Sequence, residues 1–159
     1  MIHRGDEVRD VITGFSGVVT GITHWQHGCT RCVVSPRALK DGIPAPTHVF
    51  DEPQLEVIVN GAIDTTKFSK MPPEHPLPFG SIVKNKVTGY TGVVIAWSAW
   101  FPDELSYTVQ SQTLHNNAPI KPVDIVEPTL EVLVRAPDNT PKPRGGDRED
   151  AARPSSSTV

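Results

Sequence analysis

The sequence predicts an all-β protein made of two copies of one small barrel, joined by a linker and followed by a tail. Three observations predict it. The chain of 159 residues contains 16 prolines and 12 glycines, a composition suited to short strands separated by many turns. Residues 5–58 align with residues 80–133 at a constant offset of 75, without a gap, and 16 of the 54 aligned positions are identical. An internal period of this kind reports a repeated structural unit. Finally, each copy holds five short runs rich in β-branched and aromatic residues, and no amphipathic helix of useful length.

The first copy is expected to form strands over 7–12, 18–25, 31–35, 47–51 and 54–59. Gly14 and Gly17 punctuate the first two, where a tight turn needs residues that tolerate positive φ. Pro36 and Asp41-Gly42 mark a loop, with at most one helical turn over 36–40. The second copy repeats the strands over 81–87, 91–100, 105–112, 122–127 and 129–135. Five short strands in about 55 residues fit a small curled barrel. The expected domains are therefore a first barrel over 1–59 and a second over 80–135. Between them lies a linker, 60–79, which Pro72, Pro73, Pro76 and Pro78 make extended and semi-rigid. The tail, 136–159, has almost no apolar side chain to offset its ordering entropy and is expected to be disordered.

Charge narrows the function. The net charge is −3, and each copy carries a small acidic excess with no cluster of Lys and Arg. Nucleic-acid affinity comes largely from neutralising phosphates, so that class starts at a disadvantage. No apolar run approaches the length of a membrane span. The opening residues contain no apolar stretch of the secretory type, and the cytoplasm is the expected compartment.

The opening of each copy, G-x-x-V-x-x-x-x-T-G-[FY]-[ST]-G-V-V, resembles the KOW-type opening of SH3-like barrels. The resemblance implies tandem SH3-like barrels. The first copy is also similar to a group of small phage and prophage proteins, through Val11-Ile12-Thr13-Gly14-Phe15-Ser16-Gly17, Gly28-Cys29, Pro36, Asp41-Gly42 and Phe50-Asp51-Glu52-x-x-Leu55. The second copy departs from that pattern, with Asp103-Glu104 in place of Gly28-Cys29 and Ile125-Val126 in place of Phe50-Asp51. That similarity implies a phage context, in the infected host cell or in the virion. The implied partner is a capsid or other virion protein.

The sharpest local cluster is His24, His27, Cys29 and Cys32. Imidazole and thiolate are the ligands zinc favours, in a tetrahedron. Structural sites usually draw two ligand pairs from separate turns, and the second copy has Ala99, Pro102, Glu104 and Tyr107 at these places, so folding of the unit does not need a metal. The Cys29-x-x-Cys32 spacing is also that of redox pairs, but those gain a low thiol pKa from a helix N-terminus, and this pair enters a strand. The adjacent carboxylates Asp51-Glu52 and Asp103-Glu104 point apart on a strand instead of facing one cleft. No phosphate-loop, dinucleotide or nucleophile-elbow pattern occurs.

Trp25, Trp97, Trp100 and Phe101 are the candidate interface residues. Trp25 and Trp100 are repeat equivalents, whereas Trp97 and Phe101 belong to the second copy alone. Strand faces alternate, so part of the 97–101 segment is expected to face outward as a partner site. The expectation is a non-enzymatic protein-binding or structural module without a cofactor, a head-decoration or accessory protein of a phage. The alternatives are a KOW-like nucleic-acid or transcription-complex module, sequestration of a small molecule between the barrels, and a zinc- or thiol-dependent activity at His24–Cys32.

Overall fold

The computed structural model describes residues 1–64, 76–101 and 104–138. These are all-β, with two single-turn 3-10 helices. Most of the expected linker and tail, 65–75 and 139–159, lies outside the described residues. Among the described residues no helix is long and apolar enough to cross a membrane.

The first half runs β1 (Glu7–Asp10), β2 (Ser16–Trp25), β3 (Arg31–Ser35), β4 (Leu39–Lys40), β5 (Ile43–Pro44), β6 (His48–Asp51), a 3-10 turn (Glu52–Gln54) and β7 (Leu55–Val59). The second half runs β8 (Ile82–Asn85), β9 (Thr91–Trp100), β10 (Glu104–Gln110), β11 (Leu114–His115), β12 (Ala118–Pro119), β13 (Val123–Val126), a 3-10 turn (Glu127–Thr129) and β14 (Leu130–Val134). Every element of the first half has a counterpart 75 residues on. In place of the helical turn entertained over 36–40, each half carries a two-residue hairpin. Asp41 and Gly42 both adopt positive φ there, as do Asn116 and Asn117, the geometry that tight hairpins select.

Within each half the strands pair antiparallel, in the order β7-β1-β2-β3-β6 and β14-β8-β9-β10-β13. The two halves are not separate closed barrels, as the sequence led one to expect. They join through β2 and β9 into one open ten-stranded sheet. The reason lies in strand length. Ser16–Val18 of β2 pair with β1, while Gly21–Trp25 extend beyond it along the same edge. An unpaired edge of that length would be a liability, and β9 covers it.

Each half has its own core. Val8, Val19, Ile22, Cys32 and Val34 are buried in the first, with Phe15, Phe50 and Leu55 packed against them. Val83, Val94, Tyr107, Val109 and Ile125 are buried in the second, with Tyr90, Trp97 and Leu130 against them. The correspondence is nearly position for position. Gly17 and Gly92 mark another match, though not the positive φ expected of Gly17. A Cβ on Gly17 would lie 2.4 Å from the Ser35 carbonyl oxygen, and one on Gly92 2.4 Å from that of Gln110. The glycines are there because two strands approach too closely for any side chain.

The correspondence between the halves also reaches beyond the aligned residues. Ile2 is buried in the first core and its equivalent Leu77 packs against the second. Gly61 N donates to Asp6 Oδ1 at 2.8 Å, and its equivalent Ala136 N donates to Ser81 Oγ at 3.0 Å. The sequence-expected linker thus gives up both its ends. Residues 61–63 bond to the first half, and Leu77 N donates to the Tyr107 hydroxyl of the second.

Candidate functional site

The junction between the halves holds His24 and the four candidate interface residues, Trp25, Trp97, Trp100 and Phe101. Gly21, Ile22, Thr23, His24 and Trp25 of β2 pair with Trp100, Ala99, Ser98, Trp97 and Ala96 of β9. The central pair is Thr23 and Ser98, which are themselves repeat equivalents. The register therefore maps onto itself when the halves are exchanged, as in an isologous dimer interface. The hydrogen bonds obey the same pseudo-twofold. Gln26 N donates to Ile95 O at 2.8 Å, and the equivalent Phe101 N to Thr20 O at 2.7 Å. On the pseudo-axis the Thr23 and Ser98 hydroxyls are 2.7 Å apart and share a hydrogen bond.

Alternation divides the junction between two faces of the sheet. Ile22 and His24 lie on the core side with Trp97 and Ala99. The His24 ring stacks against the Trp97 ring, centroids 4.2 Å apart. His24 Nδ1 is also 3.1 Å from the Thr30 hydroxyl. Burial lowers the His24 pKa below the ordinary imidazole value, against the opposing influence of the Glu52 charge. Trp97 is thus a packing residue between the cores and not part of an outer patch.

The outer face carries Gly21, Thr23, Trp25, Ala96, Ser98 and Trp100. The two tryptophans sit symmetrically about the Thr23–Ser98 pair. Trp100 lies directly on Gly21, where an added Cβ would be 2.6 Å from Cε3 of the indole. Its Nε1 donates to Ser106 Oγ at 3.2 Å. At the equivalent of Ser106 the first half has Arg31, whose guanidinium lies 5.8 Å from the centroid of the Trp25 ring. Trp25 Nε1 is buried and has no hydrogen-bond acceptor among the described residues. Arg4 Nη1 donates to the Trp100 carbonyl at 2.6 Å. Trp25 and Trp100 thus form a half-buried aromatic strip across the outside of the junction, and Phe101, one residue beyond the end of β9, is half-buried beside Val18 and Thr20.

His24, His27, Cys29 and Cys32 are not brought together. Cys32 is fully buried in the first core, opposite Ile22. Burial, reinforced by the Glu52 charge, pushes its thiol up to about 12, so the thiolate that metal binding or redox exchange needs is strongly disfavoured. Cys29 is exposed and not bridged to Cys32. His27 is exposed in the β2–β3 turn, away from the stacked His24. Among the described residues no three His, Cys, Asp or Glu side chains form a metal-binding group.

The buried polar side chains are committed to the fold. Asp6 accepts from the backbone of His3 and Gly61, and Asp10 from the backbone and hydroxyl of Thr13. The Thr13 hydroxyl is also the main cause of a lowered Asp10 pKa. Ser81 donates to Pro78 O at 2.7 Å, while Ser98 and Ser106 serve the junction. The sequence alone gave no sign that Thr23 and Ser98 lie on an axis. That follows only from a pairing between strands 75 residues apart. No family model, curated protein or solved structure matches this chain.

Proposed function

We propose that the chain is a non-enzymatic protein-binding or structural module of two SH3-like units, serving as a phage virion component or accessory protein. The strand order in each half, with a 3-10 turn before the last strand, supports the SH3-like reading. The observation that carries the functional one is how the copy-specific segments are used. His24 and Trp97 pack against each other across the core side of the junction, while Trp25, Trp100 and Phe101 remain along its outer side. Buried polar groups meanwhile serve turns and the junction. An outward strip of tryptophan with arginine at its edges has the composition of an interface anchor.

The test is the fate of the chain in an infected culture that produces it. The chain is expected to sediment with purified particles, and Trp25→Ser with Phe101→Ala to release it while the fold persists by circular dichroism. A chain found only in the particle-free lysate would overturn the virion reading.

The nucleic-acid reading has one observation in its favour, an arginine beside each outer tryptophan: Arg31 over Trp25 and Arg4 on the Trp100 carbonyl. Bases stack on such platforms. A gel shift with single-stranded DNA and RNA, weakening with salt, would favour it. The acidic net charge of −3 places it second.

A further inference from the structure

We infer that the groove on the outer side of the junction is a binding site for a small, flat aromatic carboxylate. The groove is open to solvent along one side and offers about 260 Å³, just below the roughly 300 Å³ at which sites for drug-sized ligands begin. Its walls are apolar: Val18, Pro36, Ile63 and Phe101. Among the described residues the polar groups are two hydroxyls, Thr20 and Ser35, and one guanidinium, Arg37. The site needs both halves, because Phe101 comes from the second and the other lining residues from the first and its C-terminal extension.

The pseudo-twofold supplies an internal control. Applying it to the lining replaces Thr20 with Ile95, Ser35 with Gln110, Pro36 with Ser111, Arg37 with Gln112 and Phe101 with Gln26. Val18, opposite Ser35 on the strand, is the one wall kept, as Val93. The second half therefore has neither the ring nor the cation at that place. Its Gln110 side chain is turned to the Ile120 carbonyl, at 2.7 Å. The shared scaffold does not require the groove residues, since the other half folds the same way without them.

The rim charge selects the ligand. Arg37 Nε is 3.4 Å from Glu7 Oε2, and Nη2 is 3.5 Å from the Ala62 carbonyl. Both contacts are long, and the arginine is about half exposed, so this pair holds weakly and yields to a better-placed carboxylate. A guanidinium takes a carboxylate as a fork, two parallel bonds at once. One cation, partly neutralised by Glu7, matches a singly charged group better than a phosphate. The Phe101 ring and the Pro36 and Ile63 walls accept a flat apolar body. The groove shares Phe101 with the partner-binding strip, so Arg37→Gln, which lies outside the strip, and Trp25→Ser, which lies outside the groove, tell the failure of one from the failure of the other.

The probes are 2-naphthoate and its neutral counterpart 2-naphthalenemethanol, titrated into the isotopically labelled full chain and followed by amide chemical shifts. Naphthoate is expected to shift Thr20, Ser35, Arg37 and Phe101 with a dissociation constant on the order of 1 mM or tighter. Arg37→Gln should weaken naphthoate about tenfold and leave the alcohol within about twofold, a charge-assisted contact having been removed. Glu7→Gln should tighten naphthoate, since it removes the competing carboxylate. Phe101→Ala should weaken both probes, and its backbone bond to Thr20 survives the change. Shifts spread over other apolar surfaces, or an Arg37→Gln effect equal for acid and alcohol, would overturn the assignment.

Discussion

Trp25 and Trp100 occupy the same place in the two halves and have different surroundings. Trp100 rests on a glycine and gives its indole N–H to Ser106. Trp25 pairs with Ala96, meets Arg31 where the serine would be, and its N–H has no acceptor among the described residues. The same contrast recurs inside. Cys32 and Tyr107 are equivalent core residues, both essentially inaccessible. The tyrosine hydroxyl accepts from Leu77 N, whereas in the first half Ile2 N turns to the Glu52 carboxylate. The backbone is held by shared valines and glycines, and side chains at the same address are free to diverge. Differences between the halves are therefore where specific roles are to be sought.

The core pair is where the comparison should break most visibly. Tyr107→Ala empties the largest fully buried side chain of the second half and orphans the Leu77 N–H, a loss of about 3–5 kcal/mol. Cys32→Ala removes only a sulfur and should lose about 1 kcal/mol. Urea unfolding followed by tryptophan fluorescence measures both. Because β2 and β9 tie the halves into one sheet, Tyr107→Ala should still unfold in a single transition. A second transition, with the first half surviving alone, would show that the junction couples the halves less than its bonding implies.

The next effect is at the junction. Gly21→Val drives a branched side chain into the Trp100 indole, for about 1–3 kcal/mol of overpacking. The mirror change, Ala96→Gly, adds backbone freedom and removes one fully buried methyl, and should lose about 1–2 kcal/mol. Thermal melts rank the two, and near-ultraviolet circular dichroism should change for Gly21→Val alone, because only it moves an indole. A near-ultraviolet change of equal size in both variants would mean that Trp25 and Trp100 are seated alike.

Much of this was legible in the sequence, for a definite reason. Turn glycines, valine runs and the 75-residue offset are local signals, and they placed the five principal strands of each half to within a few residues. The Asp41-Gly42 hairpin was equally local, though a loop was expected there. What could not be read was the β2–β9 pairing. Nothing in 16–25 says which half of the strand pairs inside its own unit and which pairs outside. Without that register, Trp97, Trp100 and Phe101 form one aromatic cluster. With it, Trp97 faces a core and the other two do not. His24 and Cys32 were misleading for the same reason: spacing suggested ligands, and strand alternation turned both inward.

His24 offers a smaller effect with a definite sign. Burial lowers its pKa from 6.5, so the folded chain holds the extra proton less readily than the unfolded one. Its contribution to stability is complete above 6.5 and falls as the pH drops through the lower folded value, below which it levels off. Its repeat equivalent is Ala99, so the second half has no matching term. Stability measured between pH 8 and 5 should decline in that window, and His24→Phe, which keeps the stack on Trp97, should remove that part of the decline. An unchanged slope in His24→Phe would assign it to another group.

The smallest effect tests the contrast between the tryptophans most directly. Ser106→Ala leaves Trp100 Nε1 in the state that Trp25 Nε1 already occupies, and a lost hydrogen bond of this kind is worth about 1 kcal/mol. Arg31→Ser does the reverse by placing a hydroxyl where Trp25 lacks an acceptor. It also removes the exposed Arg31–Asp51 pair, 3.2 Å apart, and the cation–π contact, each worth about 0.5–1 kcal/mol at most in such surroundings. The terms nearly cancel, so Arg31→Ser should stay within about 1 kcal/mol of the parent. In the double-mutant cycle with Trp25→Phe, which has no N–H, the serine should be worse than in the parent background. If Arg31→Ser proves equally tolerated in both, the hydroxyl has not reached the indole. The arginine would then belong at that position for what it meets outside the chain.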